Sequence, residues 1–103
     1  MSLEEEFAEL LRETYEAGRQ QGYLATYLLE MLEEHGGVGT AKRLLAPWTD
    51  HQGLYQLYGL GLIHKSVEAI VWDHREFHPF FTEVELGIAY RRLEELGYFF
   101  EGK

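Results

Sequence analysis

Two histidines in the segment DHREFH, residues 73–78, have the spacing in this chain that comes closest to a metal site. On a helix, His74 and His78 would lie on one face, as two ligands of the same ion must. However, Pro79 disfavours helical geometry at the residue before it, no third ligand follows at a defined spacing, and the order is not the His-Glu-x-x-His of zinc proteases. A surface connection that carries two histidines is the better interpretation. We therefore predict no metal site, with His74 and His78 as weak candidates.

The glycine-rich segment GGVGTAK, residues 36–42, resembles a phosphate-binding loop. Such a loop needs Lys-Ser or Lys-Thr directly after its last glycine and a strand before its first, and this segment meets neither condition. The glycines are better interpreted as turn residues between two helices. We therefore predict no cofactor.

Groups for nucleophilic or acid–base catalysis are missing or are explained in another way. The chain has no cysteine, and its two serines, Ser2 and Ser66, stand where helix caps are expected rather than in Gly-x-Ser-x-Gly. Nearly every acidic residue falls on the polar face of a predicted helix, where it lacks the burial that acid–base catalysis requires. We expect no catalytic residues and no enzymatic activity.

A small basic island is the second candidate for a functional site. Residues 35–65 carry a net charge of +2, whereas the whole chain carries −9. The island contains Lys42 and Arg43, then a loop with Trp48 and His51, then a helix with Tyr55. Two short helices joined by a turn are the frame of a helix-turn-helix DNA reader.

Two functions are open for this island. As a nucleic-acid reader it offers only glutamines and no basic residue on its second helix, and the acidic chain opposes phosphate binding. As a protein-contact surface it is better equipped, because tryptophan, tyrosine and arginine dominate interface hot spots. The aromatic residues could also simply belong to the core. We predict partner binding, with nucleic-acid binding as the alternative, at Lys42, Arg43, Trp48, His51 and Tyr55.

Three helices are predicted before and within the island. Ser2, with Glu5 three residues later, forms a capping box, and apolar residues then recur at spacings of three and four through residues 3–15. A second helix spans residues 24–35 and ends at a double glycine. A short third helix spans residues 38–45 and stops before a proline.

Two further helices follow, each with a predicted cap. Thr49 offers a cap with Gln52 at the third position, which predicts a fourth helix over residues 50–58. Ser66 caps a fifth short helix that buries its valines and isoleucine. Residues 73–81 are expected to be irregular, because proline cannot continue a helix ladder.

The best capping box in the chain, Thr82 with Glu85, opens a final helix that ends at Gly97. The tail at residues 98–100 is too apolar to stay in solvent, so it should dock on the domain or on a second subunit. The fold class is therefore all-α. We predict a single compact domain over residues 1–103 with five to six helices, in which two longer amphipathic helices flank shorter central ones.

Composition sets the remaining bounds. A length of 103 residues, of which 46 % are apolar, suits one globular domain. The longest uncharged run, residues 51–64, is too short and too interrupted by glycine to span a bilayer, and the acidic N-terminus is unlike a signal peptide, so we expect a cytoplasmic location. The absence of asparagine and cysteine, with six arginines against three lysines, fits a thermophilic source.

Several blocks along the chain also resemble a known family. They are GYLATYLLEM at 22–31, HGG at 35–37, AKRLL at 41–45, GLxxL at 53–57, SVEA at 66–69 and FTxxEL at 81–86. The pattern is similar to a group of uncharacterised bacterial helical domains of about this length, found alone or attached to larger proteins. The resemblance covers residues 15–98 and implies a shared fold, but no activity and no site residues. The family pattern lacks histidines at 74 and 78, which counts further against a metal site.

The sequence therefore predicts a non-catalytic protein-interaction or accessory module. Its expected partner is another protein or a second copy of the same chain as a homodimer, with a nucleic acid as the alternative. No cofactor and no membrane contact are expected.

Overall fold

The computed structural model describes residues 1–100, and within them the chain forms five α-helices, two 3-10 helices and no strand. The α-helices are α1 (Leu3–Gln20), α2 (Thr26–Leu44), α3 (Gln52–Gly59), α4 (Val67–Asp73) and α5 (Glu83–Glu95). The 3-10 helices are Ile63–Lys65 and Arg75–Phe80. The predicted all-α fold is confirmed.

The core lies between two helix pairs, because α1 packs mainly on α2 and α4 packs mainly on α5. At its centre is Phe7 of α1, which is fully buried. The centre of its ring lies 5.0 Å from that of Phe77 and 5.7 Å from that of Phe81. Aromatic rings at these distances add directional contacts to the hydrophobic burial. The 3-10 helix that contains Phe77 is therefore part of the core, although its segment was expected to be irregular.

The double glycine breaks α2, as predicted, although helical residues continue on both sides of the break. Gly36 has φ 73° and ψ 177°, a conformation that residues with a Cβ rarely adopt. Gly37 has a different role, since a Cβ on it would lie 2.7 Å from the Cα of Ala8. Glycine at this position lets the backbones of α1 and α2 approach each other directly.

Three of the four predicted helix caps are present. Ser2 with Glu5, and Thr82 with Glu85, form complete capping boxes. The hydroxyl oxygen of Ser66 accepts a hydrogen bond from the backbone N–H of Ala69 at 3.1 Å.

The cap predicted at Thr49 is wrong. Its hydroxyl donates to the carbonyl oxygen of Arg43 at 2.7 Å, so it closes the turn after α2. Within residues 1–100, α3 begins at Gln52 with no side chain bonded to its first turn.

The apolar tail docks on the domain over part of its length. The ring of Phe99 stacks on Tyr90 with the ring centres 4.8 Å apart, and the hydroxyl of Tyr98 donates to Asp73. Burial and this hydrogen bond raise the pKa of Tyr98 to about 12. Phe100 remains 76 % exposed, so docking stops before it.

A buried ion pair joins α4 to α5, and the sequence did not predict it. Arg92 is 7 % exposed and Glu68 is 4 % exposed. Nη1 of Arg92 donates to Oε2 of Glu68 at 3.0 Å and to the carbonyl oxygen of Leu44 at 2.8 Å. Nη2 donates to the carbonyl oxygens of Ala46 at 3.1 Å and of Thr49 at 3.5 Å. One side chain of α5 thus ties α4 to the segment that follows α2.

Two glycine-to-alanine substitutions should change stability in opposite directions. Gly37→Ala places a methyl group against the backbone of α1, and overpacking of this kind costs about 1–3 kcal/mol. Gly87→Ala, within α5, meets no atom within 4 Å and should stabilise the fold by about 0.5–1 kcal/mol. Urea unfolding followed by circular dichroism measures both. Equal effects of the two variants would contradict the close approach of α1 and α2.

Arg92→Met should destabilise the domain by about 3–5 kcal/mol, because it leaves a buried carboxylate and three backbone carbonyls without their donor. The matched control is Arg91→Met at the exposed neighbouring position, where a change within about 0.5 kcal/mol is expected. Adding Glu68→Leu to Arg92→Met removes the unpaired charge, but the three backbone carbonyls still lack a hydrogen-bond donor. The double variant should therefore recover only part of the lost stability. Urea unfolding of the three variants checks this order, and a full recovery would show that the carbonyl contacts contribute nothing.

Candidate functional site

A groove of about 620 Å³ opens between the end of α2, the loop over residues 45–49 and the first turn of α5. We call it the Trp48 groove. Its apolar wall consists of Met31, Leu44, Leu45, Ala46, Val84 and Ile88, and its polar rim of Lys42, Arg43, Thr49, Thr82 and Glu85, with Pro47 and Trp48 at the edge. Val84 is 65 % exposed and Trp48 is 85 % exposed, so a large apolar area faces solvent here.

The loop that carries Trp48 is held by hydrogen bonds at both ends. The hydroxyl of Thr49 donates to the carbonyl oxygen of Arg43, and the N–H of Thr49 donates to that of Ala46 at 3.0 Å. The guanidinium group of Arg92 binds the same loop from inside through two of its carbonyl oxygens. The turn is therefore closed on the core side, and Trp48 at its tip is directed outwards.

An ion pair lies on the polar rim of the groove. Nζ of Lys42 lies 2.8 Å from Oε1 of Glu85 and 5.4 Å from the centre of the Phe81 ring. Burial alone would raise the pKa of Glu85. However, the hydrogen bonds that its carboxylate accepts from Lys42 and from Thr82 lower the pKa below its ordinary value of 4.5. Glu85 therefore serves both as the capping-box residue of α5 and as the partner of Lys42.

The structure brings together three of the five predicted partner-binding residues, Lys42, Arg43 and Trp48, in the Trp48 groove. The other two lie elsewhere. The rings of His51 and Tyr55 are 5.2 Å apart, but His51 lines a different cavity and Tyr55 borders a shallow depression on α3. The five residues form no common surface, and a role in binding stays a prediction for each of them.

The two histidines considered as metal ligands have separate surroundings. Nε2 of His78 lies 3.1 Å from the carbonyl oxygen of Trp72, whereas Nδ1 of His74 lies 3.7 Å from Oε2 of Glu76. His74 precedes a 3-10 helix and His78 lies within it, so the shared face of an α-helix is not available to them. Across residues 1–100, no group of three or more histidine or acidic side chains is placed to hold a metal ion.

Sequence reasoning missed Glu68, Arg92 and the tyrosines at residues 23 and 27, which the structure places around one open cavity or next to it. A signal for Arg92 was available, because Arg92 lies four residues after Ile88 and three after Ala89 on the buried face of α5. Glu68 interrupts a run of apolar residues on α4. A charged residue at such a position either lies at the edge of the apolar core or forms a buried ion pair within it. Only the three-dimensional structure distinguishes these two cases.

Comparison of the chain with models of protein families, with curated proteins and with solved structures finds no match. The family resemblance drawn from the sequence blocks thus stays a prediction. None of the helices between residues 1 and 100 combines the length and the apolar character needed to cross a membrane.

Glu85→Gln should reduce the loss of stability in acid. The depressed pKa means that the contribution of Glu85 is fully present above the unfolded-state value of 4.5 and is lost as the pH falls below it, through the lower folded-state value. For a partly exposed pair this contribution is about 0.2–1 kcal/mol. The measurement is urea unfolding at pH 7 and at decreasing pH values below 4.5.

The control for this prediction is Glu83→Gln. Glu83 lies in the same first turn of α5, and within the described part of the chain it has no ion-pair partner. The Glu83→Gln variant should show nearly the same dependence of stability on pH as the wild type. If the two variants have the same profile, the ion pair with Lys42 is not the source of the acid sensitivity.

Proposed function

We propose that this chain is a non-catalytic protein-interaction module that uses the Trp48 groove, and that the groove is occupied by a second copy of the same chain. The observation that supports this proposal is the exposure of Trp48, 85 %, at the edge of an apolar concavity. Large apolar side chains next to a concave apolar wall are typical of contact surfaces, and tryptophan is the residue most enriched in binding hot spots.

The fixed conformation of the loop supports the same function. Binding costs free energy when a loop must be ordered, and a loop already held in place avoids that cost. Here the hydrogen bonds of Thr49 and Arg92 hold the loop from both sides. The indole of Trp48 is thus presented by a rigid support, as is favourable for a contact residue.

A second copy is the favoured occupant because the surface is self-complementary. A twofold interface places the same patch on both subunits, so the patch must carry both a projection and a hollow that receives it. The Trp48 groove has the indole as a projection and the apolar wall beside it as a hollow. In such a dimer, Trp48 of each protomer enters the groove of the other.

The proposed interface must bury more surface than Trp48 alone provides. An ordinary interface buries about 800 Å² on each partner, which is about an eighth of the 6215 Å² of accessible surface here. A tryptophan side chain covers at most about 250 Å² of it. The apolar wall of the groove, which includes Val84, must therefore be covered together with Trp48.

The nucleic-acid alternative gains no support from the arrangement of the charges. Lys42 of the basic island is paired with Glu85, which leaves Arg43 as the island's cation on the groove rim, within a chain of net charge −9. A cytoplasmic location is part of the proposal and rests on composition, since the longest uncharged run, residues 51–64, is too short and too interrupted by glycine to span a bilayer.

Trp48→Ala should weaken self-association by at least about tenfold, the loss expected for a central hot-spot residue. Sedimentation equilibrium over a concentration series measures the dimer constant. The matched control is Leu24→Ala, which removes an apolar side chain that is 61 % exposed but lies outside the groove, and it should leave the constant unchanged.

Two results would contradict this proposal. A wild-type chain that is still monomeric at about 1 mM has no meaningful affinity for itself. A dimer that Trp48→Ala and Leu24→Ala leave equally stable uses another surface.

A further inference from the structure

A second concavity, separate from the Trp48 groove, has a volume of about 380 Å³ and lies between α3, the start of α2 and the start of α4. We propose that this cavity binds a small organic cation, a molecule with an apolar body and a protonated amine, whose ammonium group is bound by Glu68, Tyr23 and Tyr27. The cavity shares only Leu44 with the groove, and this proposal does not depend on self-association.

The size and the walls of the cavity suit a small molecule. Pockets that bind small ligands have volumes of about 300–1,000 Å³ and are mostly apolar with a few convergent polar groups. The apolar part of this wall comes from α2, α3 and α4 and includes Leu28, Leu54, Leu57 and Val67. Leu54 and Leu57 are buried members of α3, so the wall is a fixed part of the fold.

Two tyrosine hydroxyl groups meet at the wall, with their oxygens 3.3 Å apart in Tyr23 and Tyr27. Gly53 makes room for them, because a Cβ at this position would overlap the hydroxyl of Tyr27. Burial, the hydrogen bond with Tyr23 and the negative charge of Glu68 together raise the pKa of Tyr27. The hydroxyl therefore stays protonated, and its oxygen retains a lone pair that can accept a hydrogen bond from an ammonium group.

Glu68 brings a carboxylate with one unused oxygen to the cavity. Arg92 binds Oε2 of Glu68, and no donor in residues 1–100 is hydrogen-bonded to Oε1. Arg92 also donates to three backbone carbonyls, so its donors are divided between the carboxylate and the loop. A carboxylate group that lines a cavity and has one oxygen without a protein donor can bind a ligand that supplies one, and an N–H of an ammonium group does so with the additional attraction of charge.

The remaining lining residues also select for a cation. Asp50 adds a second carboxylate, and among the described residues that line the cavity there is no lysine or arginine that would attract an anion. His51 lines the same cavity, and its buried Nδ1 has no hydrogen-bond partner within residues 1–100. Such an atom requires a partner, and a polar group of a ligand can provide it.

Three probes with the same aromatic body and different charges test the choice of ligand: 2-phenylethylamine, 2-phenylethanol and 3-phenylpropionate. Titration of the full chain at pH 7 by calorimetry, with amide shifts in NMR spectra to locate the site, measures each affinity. We expect the amine to bind at least about tenfold more tightly than the alcohol, since a hydrogen bond to a charged group is the stronger kind, and the carboxylate to bind least. Equal affinities, tighter binding of the carboxylate, or no binding of the amine would overturn the proposal.

Two substitutions test the site without removing the partner of Arg92, as Glu68→Gln would do. Tyr27→Phe keeps the ring and removes the hydroxyl, and should weaken binding of the amine by about tenfold. Its control is Tyr58→Phe on α3, at an exposed residue outside the cavity, which should have no effect. Asp50→Asn, at an exposed position, should weaken binding of the amine severalfold and leave the affinity for the alcohol unchanged. If both Tyr27→Phe and Asp50→Asn bind the amine as the wild type does, the proposal is wrong.

Discussion

The guanidinium group of Arg92 is the interaction on which the rest of this structure depends. The last carbonyl groups of a helix lack partners within the helix, and a buried helix end needs donors from elsewhere. Arg92 supplies them at the end of α2, through Leu44, and in the loop that follows. The same group balances the charge of Glu68 on α4. Arg92 therefore holds both the loop that presents Trp48 and, through Glu68, part of the wall of the second cavity.

The features that could be predicted from the sequence are those decided within a few residues. Capping boxes at Ser2 and Thr82 and the helix break at Gly36 depend on local hydrogen bonds and on one backbone angle, so the residue types at a fixed spacing are sufficient. Thr49 marks the limit of this reasoning. Its hydroxyl can bond forwards to cap α3 or backwards to close the turn after α2, and tertiary context decides for the turn.

The features that could not be predicted depend on pairs of residues that are far apart in the chain. Glu68 and Arg92 are separated by 24 positions, and charged residues are by default expected on the surface. The Trp48 groove combines Met31, the loop and α5, which no sequence pattern relates to one another. For the same reason His51 and Tyr55, close in sequence to Trp48, lie apart from the groove. His51 lines the second cavity, and Tyr55 borders a separate depression on α3.

The contact between Ala8 and Gly37 has a consequence for how sequences with this fold can diverge. Because the backbones of α1 and α2 are in close contact at this point, the contact limits how α1 can be positioned against α2. A larger residue at position 37 would push the two helices apart. A side chain at position 37 meets backbone atoms of residue 8, so a smaller residue at position 8 does not make room for it. In a set of related sequences, position 37 should therefore remain glycine, whereas position 87 should accept other residues.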